Sequence, residues 1–271
     1  MHAGFGLGRI HHLPTGRSRE QVVRTAIEAG FRHFDLAPAY GDGLCEKELG
    51  RILGTERSRV RIATKFGIPF RPIGELPGAL YFAIRAVAKV LSTSFGARYG
   101  ERNFGPAELA TSLENSLRRL RTDYIDLMLV HEPRTVDEFR SIDTSWSELE
   151  RQQRIGKIRE FGVSAEVEVL LEAEEQGLVP AGAVRMVPLC TRTLELPRAW
   201  FRERRVFVFN VVKHLRQSLG PGRIESRKLV EAVAQLVPES TPIFASHDLN
   251  EIRRLGSAIA SMGESNQEIP A

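Results

Sequence analysis

The sequence predicts an α/β chain folded as one domain over residues 1–271: a (β/α)8, or TIM, barrel with a long insertion after its third strand. Three observations predict it. Short β-branched apolar runs alternate with longer segments of helical period, the pattern of parallel βαβ units. Eight such runs occur. The length, 271 residues, suits one barrel, a fold that commonly takes about 250.

In chain order the strand candidates are 4–10 (GFGLGRI), 33–36 (HFDL), 60–66 (VRIATKF) and 124–131 (YIDLMLVH). The series continues with 158–164 (IREFGVS), 183–189 (AVRMVPL), 206–212 (VFVFNVV) and 242–247 (PIFASH). Between them lie helices with recognisable ends. Ser18 caps one running to Ala29, and Gly30 stops it. Pro106 opens another through Leu120, with Leu109, Leu113, Leu117 and Leu120 on one stripe. Further helices are expected over 147–153, 166–176, 226–237 and 249–261. The glycines of the first run are spaced GxGxG and open no helix, so an open dinucleotide-binding sheet is disfavoured.

Residues 67–105 break the rhythm. A βα loop usually has ~2–6 residues. Here Leu80, Ile84, Val87 and Leu91 recur at helical spacing, which predicts a helix packed across the barrel rim over the substrate pocket.

Composition excludes several classes. The chain is 42% hydrophobic and 27% charged, with net charge +4, which is ordinary for a globular protein. Its basic residues are mostly arginines spread along the chain, which argues against a nucleic-acid face. Cys45 and Cys190 have no metal-ligand or disulfide spacing. No stretch approaches the roughly 18 apolar residues that span a bilayer, and the first residues do not read as a signal peptide. A cytoplasmic protein acting on a small molecule, with no membrane and no bound metal, is expected.

In such a barrel the chemistry sits at the C-terminal ends of the strands. Those ends carry Asp35, Lys65 and His131, with Tyr40 just beyond the second strand. Taken singly, Asp35 reads as a turn former, Tyr40 as a loop aromatic, Lys65 as a surface lysine and His131 as a satisfied histidine. Jointly they need four accidents at one rim. An ammonium beside a phenol stabilises phenolate and lowers the tyrosine pKa. Asp35 can hold and offset that ammonium, and His131 can orient a carbonyl. A phenol giving a proton to a carbonyl is half of a reduction. The other half is hydride, which implies a nicotinamide cofactor.

The segments GFRHFDLAPAYGDGLCEKELGRIL, IATKFG, LRRLRTDYIDLMLVHEP and GKIREFGVS resemble the aldo-keto reductase superfamily, and AYGDGLCEKELG is most similar to its aldose-dehydrogenase-like bacterial branch. The resemblance implies a (β/α)8 barrel, NADP or NAD, and reversible carbonyl–alcohol chemistry on an aldehyde, ketone or sugar lactol. It also implies a tetrad of Asp35, Tyr40, Lys65 and His131.

The later positions depart from the family. Ser164 is followed by Ala165 where the family has Asn, Met186 stands for a Gln, and Phe209 for a ring-stacking Tyr. Lys213 and Arg216 are read as phosphate contacts. Ser246, Glu251 and Arg253 fall at the family's 2′-phosphate site, where an acidic Glu251 favours NAD over NADP. Two other functions stay open: a redox-silent isomerase or dehydratase using the same groups, and a non-catalytic binding subunit.

Overall fold

The structure, a computed structural model, describes residues 1–90, 101–219 and 224–264. Eight parallel strands pair in chain order and close on themselves. They are β1 (Gly4–Gly6), β2 (His33–Asp35), β3 (Arg61–Phe66) and β4 (Ile125–His131), then β5 (Ile158–Ser164), β6 (Val184–Pro188), β7 (Val206–Phe209) and β8 (Thr241–Phe244). The expected (β/α)8 barrel is therefore what the chain forms. Among the described residues, no helix is long and apolar enough to cross a membrane.

Three strands stop three or four residues before the ends of their apolar runs. β1 stops at Gly6, and Ile10–His12 is a 3-10 turn, because glycine brings no side chain to hold a strand. β7 stops at Phe209, and Val211 and Val212 already belong to the helix Val211–Leu219. Asn210, at φ 59°, makes that break, and β-branched residues read alike in a buried strand and a buried helical turn. β8 ends at Phe244, so Ser246 lies in the loop beyond it.

Side chains on a strand alternate between faces, and this parity builds the lumen. Ala63, Leu127, Leu129, Val184, Met186, Phe207 and Ile243 form one apolar cluster, with Phe209 packed on it. Lys65 lies two residues beyond Ala63, and His131 two beyond Leu129. Both therefore extend the inward-facing rows, one layer nearer the C-terminal mouth. A second, larger core lies between the strands and the surrounding helices.

The helices cover that outer face. Helix Gly16–Glu28 is capped by Thr15: its Oγ1 accepts from Ser18 N at 3.0 Å, and Ser18 Oγ accepts from Thr15 N at 3.3 Å. This capping box moves the helix start ahead of the expected Ser18 cap, which becomes the third helical residue. Helix Pro106–Leu120 buries Leu109, Leu113, Leu117 and Leu120, the stripe expected from its period. Helix Leu44–Leu53 has no counterpart among the expected helices. It is tied down by buried Glu46, which accepts from Arg119 Nε and Thr64 Oγ1, both at 2.6 Å.

Within 67–105 the chain forms a 3-10 turn, Pro72–Glu75, and the helix Gly78–Val90. The expected apolar stripe is not its buried face: Leu80 and Val87 are 47% and 57% exposed, whereas Tyr81 is fully buried. Leu91 lies outside the described residues. The broad aromatic ring, with more area to remove from water, decides which side packs inward.

Candidate active site

The mouth of the barrel brings Asp35, Tyr40, Lys65 and His131 together. The register aligns Asp35 with Ala63, which places Lys65 one layer above Asp35 on the neighbouring strand. The lysine spans that step. Its Nζ donates to Asp35 Oδ1 at 2.6 Å and to the Leu36 carbonyl at 2.9 Å, and lies 3.5 Å from the Tyr40 hydroxyl. The Tyr40 and His131 rings meet edge to face, 5.8 Å between centroids. His131 pairs in register with Ser164 of β5, which pairs in turn with Met186 of β6.

Tyr40 is positioned from two further sides. A Cβ on Gly8 would stand 3.2 Å from Tyr40 Cε2, a tight contact that would press the ring by a few tenths of an ångström, so the bare backbone lets the ring settle where it lies. Beyond the tyrosine, Gly41, Asp42 and Gly43 all take positive φ, 63°, 55° and 91°. The 3-10 turn Pro72–Glu75 and the helix Gly78–Val90 grip this turn. Gly74 N donates to the Asp42 carbonyl at 2.9 Å, Arg85 Nη1 lies 3.9 Å from Asp42 Oδ2, and the Tyr81 hydroxyl lies beside Gly41.

Electrostatics assign protonation states. Burial pushes the Tyr40 phenol above its ordinary value, and Lys65 offsets this only in part. The lowered tyrosine pKa expected from the lysine is thus reversed: the phenol stays protonated, because desolvation outweighs one neighbouring charge. Burial acts to lower the Lys65 ammonium, yet Asp35 and Tyr40 raise it on balance, so it stays charged. Burial, with Lys65 and Arg102, holds His131 well below the usual range, a neutral imidazole.

Beside this group runs a cleft of about 800 Å3 between helix Val211–Leu219 and the segment after β8. Among its lining residues are Arg9, Asn210, Lys213, Arg216, Ser246 and Glu251. Lys213 and Arg216 belong to that helix rather than to a loop after a strand. Phe209, at the end of β7, packs against the lumen cluster. Met186 does not line the cleft; it is 1% exposed among apolar lumen side chains. Ser164 is buried. Arg253 faces another groove, with Arg227, Arg254 and Ser257, and donates to Asn250 Oδ1 at 3.4 Å. It stands two residues past Glu251 on the same helix, and that rotation turns it from the cleft. Arg9, Asn210 and His247, absent from the sequence-derived candidates, also line the cleft. The available signal was position: each follows the end of an inward-facing strand.

The model of the Aldo/keto reductase family matches residues 4–189, well over half of the chain. The chain belongs to that family. It is 28% identical over 206 residues to a D-threo-aldose 1-dehydrogenase of a Pseudomonas species, covering 72% of this chain and 60% of that one. It is 30% identical over 146 residues to the aldo-keto reductase YhdN of Bacillus subtilis, covering 53% of this chain and 36% of the relative. The chain thus spans less than two thirds of these relatives' lengths. Among solved structures, an aldo-keto reductase from Bacillus halodurans in its holo form superposes with a TM-score of 0.70 at 22% identity, covering 95% and 86% of the two chains. One from Klebsiella pneumoniae, in complex with NADPH, gives 0.65 at 20% identity, covering 98% and 88%. These likenesses are of fold.

Proposed function

We propose that the chain is a nicotinamide-dependent oxidoreductase. It interconverts an aldehyde, ketone or sugar lactol with the corresponding alcohol or lactone, using Tyr40 as proton donor or acceptor. The observation that carries this reading is the Lys65 ammonium, buried between Asp35 and the Tyr40 hydroxyl at 2.6 Å and 3.5 Å, at the mouth of a barrel.

The cleft beside it suits a dinucleotide. Its volume, about 800 Å3, is in the range of small-molecule sites, and Arg9 and Lys213 offer cations to a pyrophosphate. When bound there, the nicotinamide supplies the hydride to the carbonyl carbon, or takes it back.

The chain's own residues do the rest. The protonated Tyr40 hydroxyl gives its proton to the carbonyl oxygen as the carbon is reduced. Lys65 stabilises the phenolate left behind. Asp35 keeps that ammonium in place and offsets its desolvation. Neutral His131 donates an N–H to the same oxygen and fixes the carbonyl beside the phenol. Oxidation runs these steps in reverse. The 3-10 turn Pro72–Glu75 and the helix Gly78–Val90, which touch the turn after Tyr40, shape the substrate side of the mouth. An aldose is the favoured substrate class, supported by the name of the Pseudomonas relative.

Tyr40→Phe tests the reading. Turnover of NADH or NADPH with an aldehyde panel should fall ~100- to 10,000-fold, with nucleotide binding retained. Unchanged turnover would remove Tyr40 from its role.

One observation favours a second reading. Ala165 and Met186 are buried apolar side chains, so neither offers a polar group to a carboxamide. Should a folded sample bind no nicotinamide nucleotide, acid–base chemistry by Tyr40, Lys65 and His131 becomes the better account.

A further inference from the structure

The stretch that leads into helix Pro106–Leu120 is fastened to the rim at β3. Asn103 N donates to the Gly67 carbonyl at 3.0 Å, two residues beyond Lys65. The Phe104 ring fills the space a side chain on Gly67 would need, since a Cβ there would stand 2.3 Å from Phe104 Cδ1. Arg102 comes just before these two anchors. Its Nη2 stands 3.6 Å from Oε2 of Glu132, the residue after His131, and its Nη1 stands 4.0 Å from Glu138 Oε2. The guanidinium therefore borders the tetrad at β3 and β4, across the barrel from the cleft along β7 and β8. Its charge is felt there, where it helps to hold His131 neutral.

Little holds this cation. The Arg102 side chain is 12% exposed, yet both carboxylates stand beyond hydrogen-bond range, and its buried Nε has no partner among the described residues. Arg57 shows what a purely structural arginine of similar burial does. With a side chain 10% exposed, it donates from all three nitrogens, to Thr122, Val60, Tyr124 and Asp126. The two acids near Arg102 are occupied elsewhere. Glu138 Oε2 accepts from Arg134 N at 2.5 Å, and the Glu132 side chain is half-exposed to solvent.

We propose that Arg102 is a substrate-binding residue that selects carbonyl compounds carrying a carboxylate, which takes up the guanidinium donors the protein leaves unused. The proposal rests on the oxidoreductase reading and names its substrate class: an aldehyde or aldose that is also an acid. A planar guanidinium matches the two oxygens of a carboxylate in a bidentate pair. With the carbonyl at Tyr40 and His131, the acid end points to the β3–β4 side of the mouth. Glu132 and Glu138 stand near the same guanidinium, so a singly charged carboxylate is accommodated where a phosphate dianion meets stronger repulsion. Glu132, open to solvent, turns outward as the acid arrives.

The test is steady-state reduction by the full chain, with NADH and with NADPH, of matched acid and neutral substrates: succinic semialdehyde against butanal, and glucuronate against glucose. The acid of each pair should show a kcat/KM at least about tenfold higher, carried mainly by KM. Arg102→Gln should bring that ratio to within about threefold. Arg102→Lys, which keeps the charge without the fork, should retain part of it; if Arg102→Gln fails to fold, the wild-type ratio and Arg102→Lys decide. A wild-type ratio of one or below overturns the proposal, as does an acid preference that Arg102→Gln leaves intact. Glucose 6-phosphate preferred over glucuronate overturns it too. All three leave the oxidoreductase reading standing, because turnover has been seen. Absence of turnover with every aldehyde and either nucleotide removes that reading, and this proposal with it.

Discussion

Lys65 Nζ stands 2.6 Å from Asp35 Oδ1, and the two side chains are 2% and 10% exposed. The pair bridges adjacent strands at the point where the apolar lumen gives way to the mouth. Each charge is tolerable there only because of the other. Replacing Asp35 by Asn leaves a buried ammonium without its counter-charge, a change that typically costs about 3–5 kcal/mol. Urea denaturation should show that loss, together with reduced turnover. Adding Lys65→Met to Asp35→Asn should recover much of the stability and none of the activity. An Asp35→Asn protein as stable as the wild type would mean that the ammonium does not depend on Asp35.

A second prediction concerns acid. His33 stacks on Phe207 inside the barrel, 4.6 Å between centroids, and neither ring nitrogen has a hydrogen-bond partner among the described residues. Burial, then Arg61, Arg205 and Lys65, lowers it from 6.5 to about 3. Between those values the unfolded chain takes up a proton that the folded chain refuses. Stability is therefore full above about 6.5 and falls as the pH drops toward about 3. His11, lowered to about 4, and His131 act in the same direction. His33→Phe keeps the stack and should flatten the acid slope by up to about 1.4 kcal/mol per pH unit. Urea midpoints at several values below neutrality measure it, and an unaltered slope would show that His33 titrates alike in both states.

The third prediction separates structure from chemistry in one short segment. Asp126 lies five residues before His131 and is fully buried. It accepts from Arg57 Nη2 at 2.7 Å, Arg159 Nη1 at 2.9 Å and Ile62 N at 2.9 Å. The two arginines also flank the Tyr124 ring, at 4.2 Å and 4.1 Å from its centroid. This cluster joins β3, β4 and β5 at the end of the barrel away from the tetrad. Asp126→Ala should cost about 3–5 kcal/mol while turnover per folded molecule stays unchanged. A selective loss of turnover at unaltered stability would place Asp126 in the chemistry instead.

Asp35, Lys65 and His131 were legible because each lies at or next to the C-terminal end of an apolar run, and in a parallel barrel such an end is the working rim. Pro106 and the leucines after it were legible for a similar local reason: period and cap agree. What stayed hidden depends on partners distant in sequence. Glu251 was recognised as acidic, but its grip by Arg216 spans two helices and appears only once β7 and β8 lie side by side. Helix Leu44–Leu53 carries the residues of a motif, and its helical character shows in its packing, where a Cβ on Gly50 would stand 2.6 Å from the carbonyls of Arg119 and Leu120. The tyrosine pKa was misjudged because a sequence displays neighbouring charges but not the loss of water around them.

The apolar floor beneath Lys65 has a consequence for traffic. Leu127, Leu129, Met186, Phe207 and Ile243 fill the lumen under the ion pair, so the barrel is a well with one opening. In the proposed reaction, the proton that Tyr40 surrenders has to return through the same opening by which the product departs. Reloading the phenol and emptying the site then compete for one doorway. Deuterated solvent is expected to slow whichever part of the cycle follows product release, rather than the reduction alone.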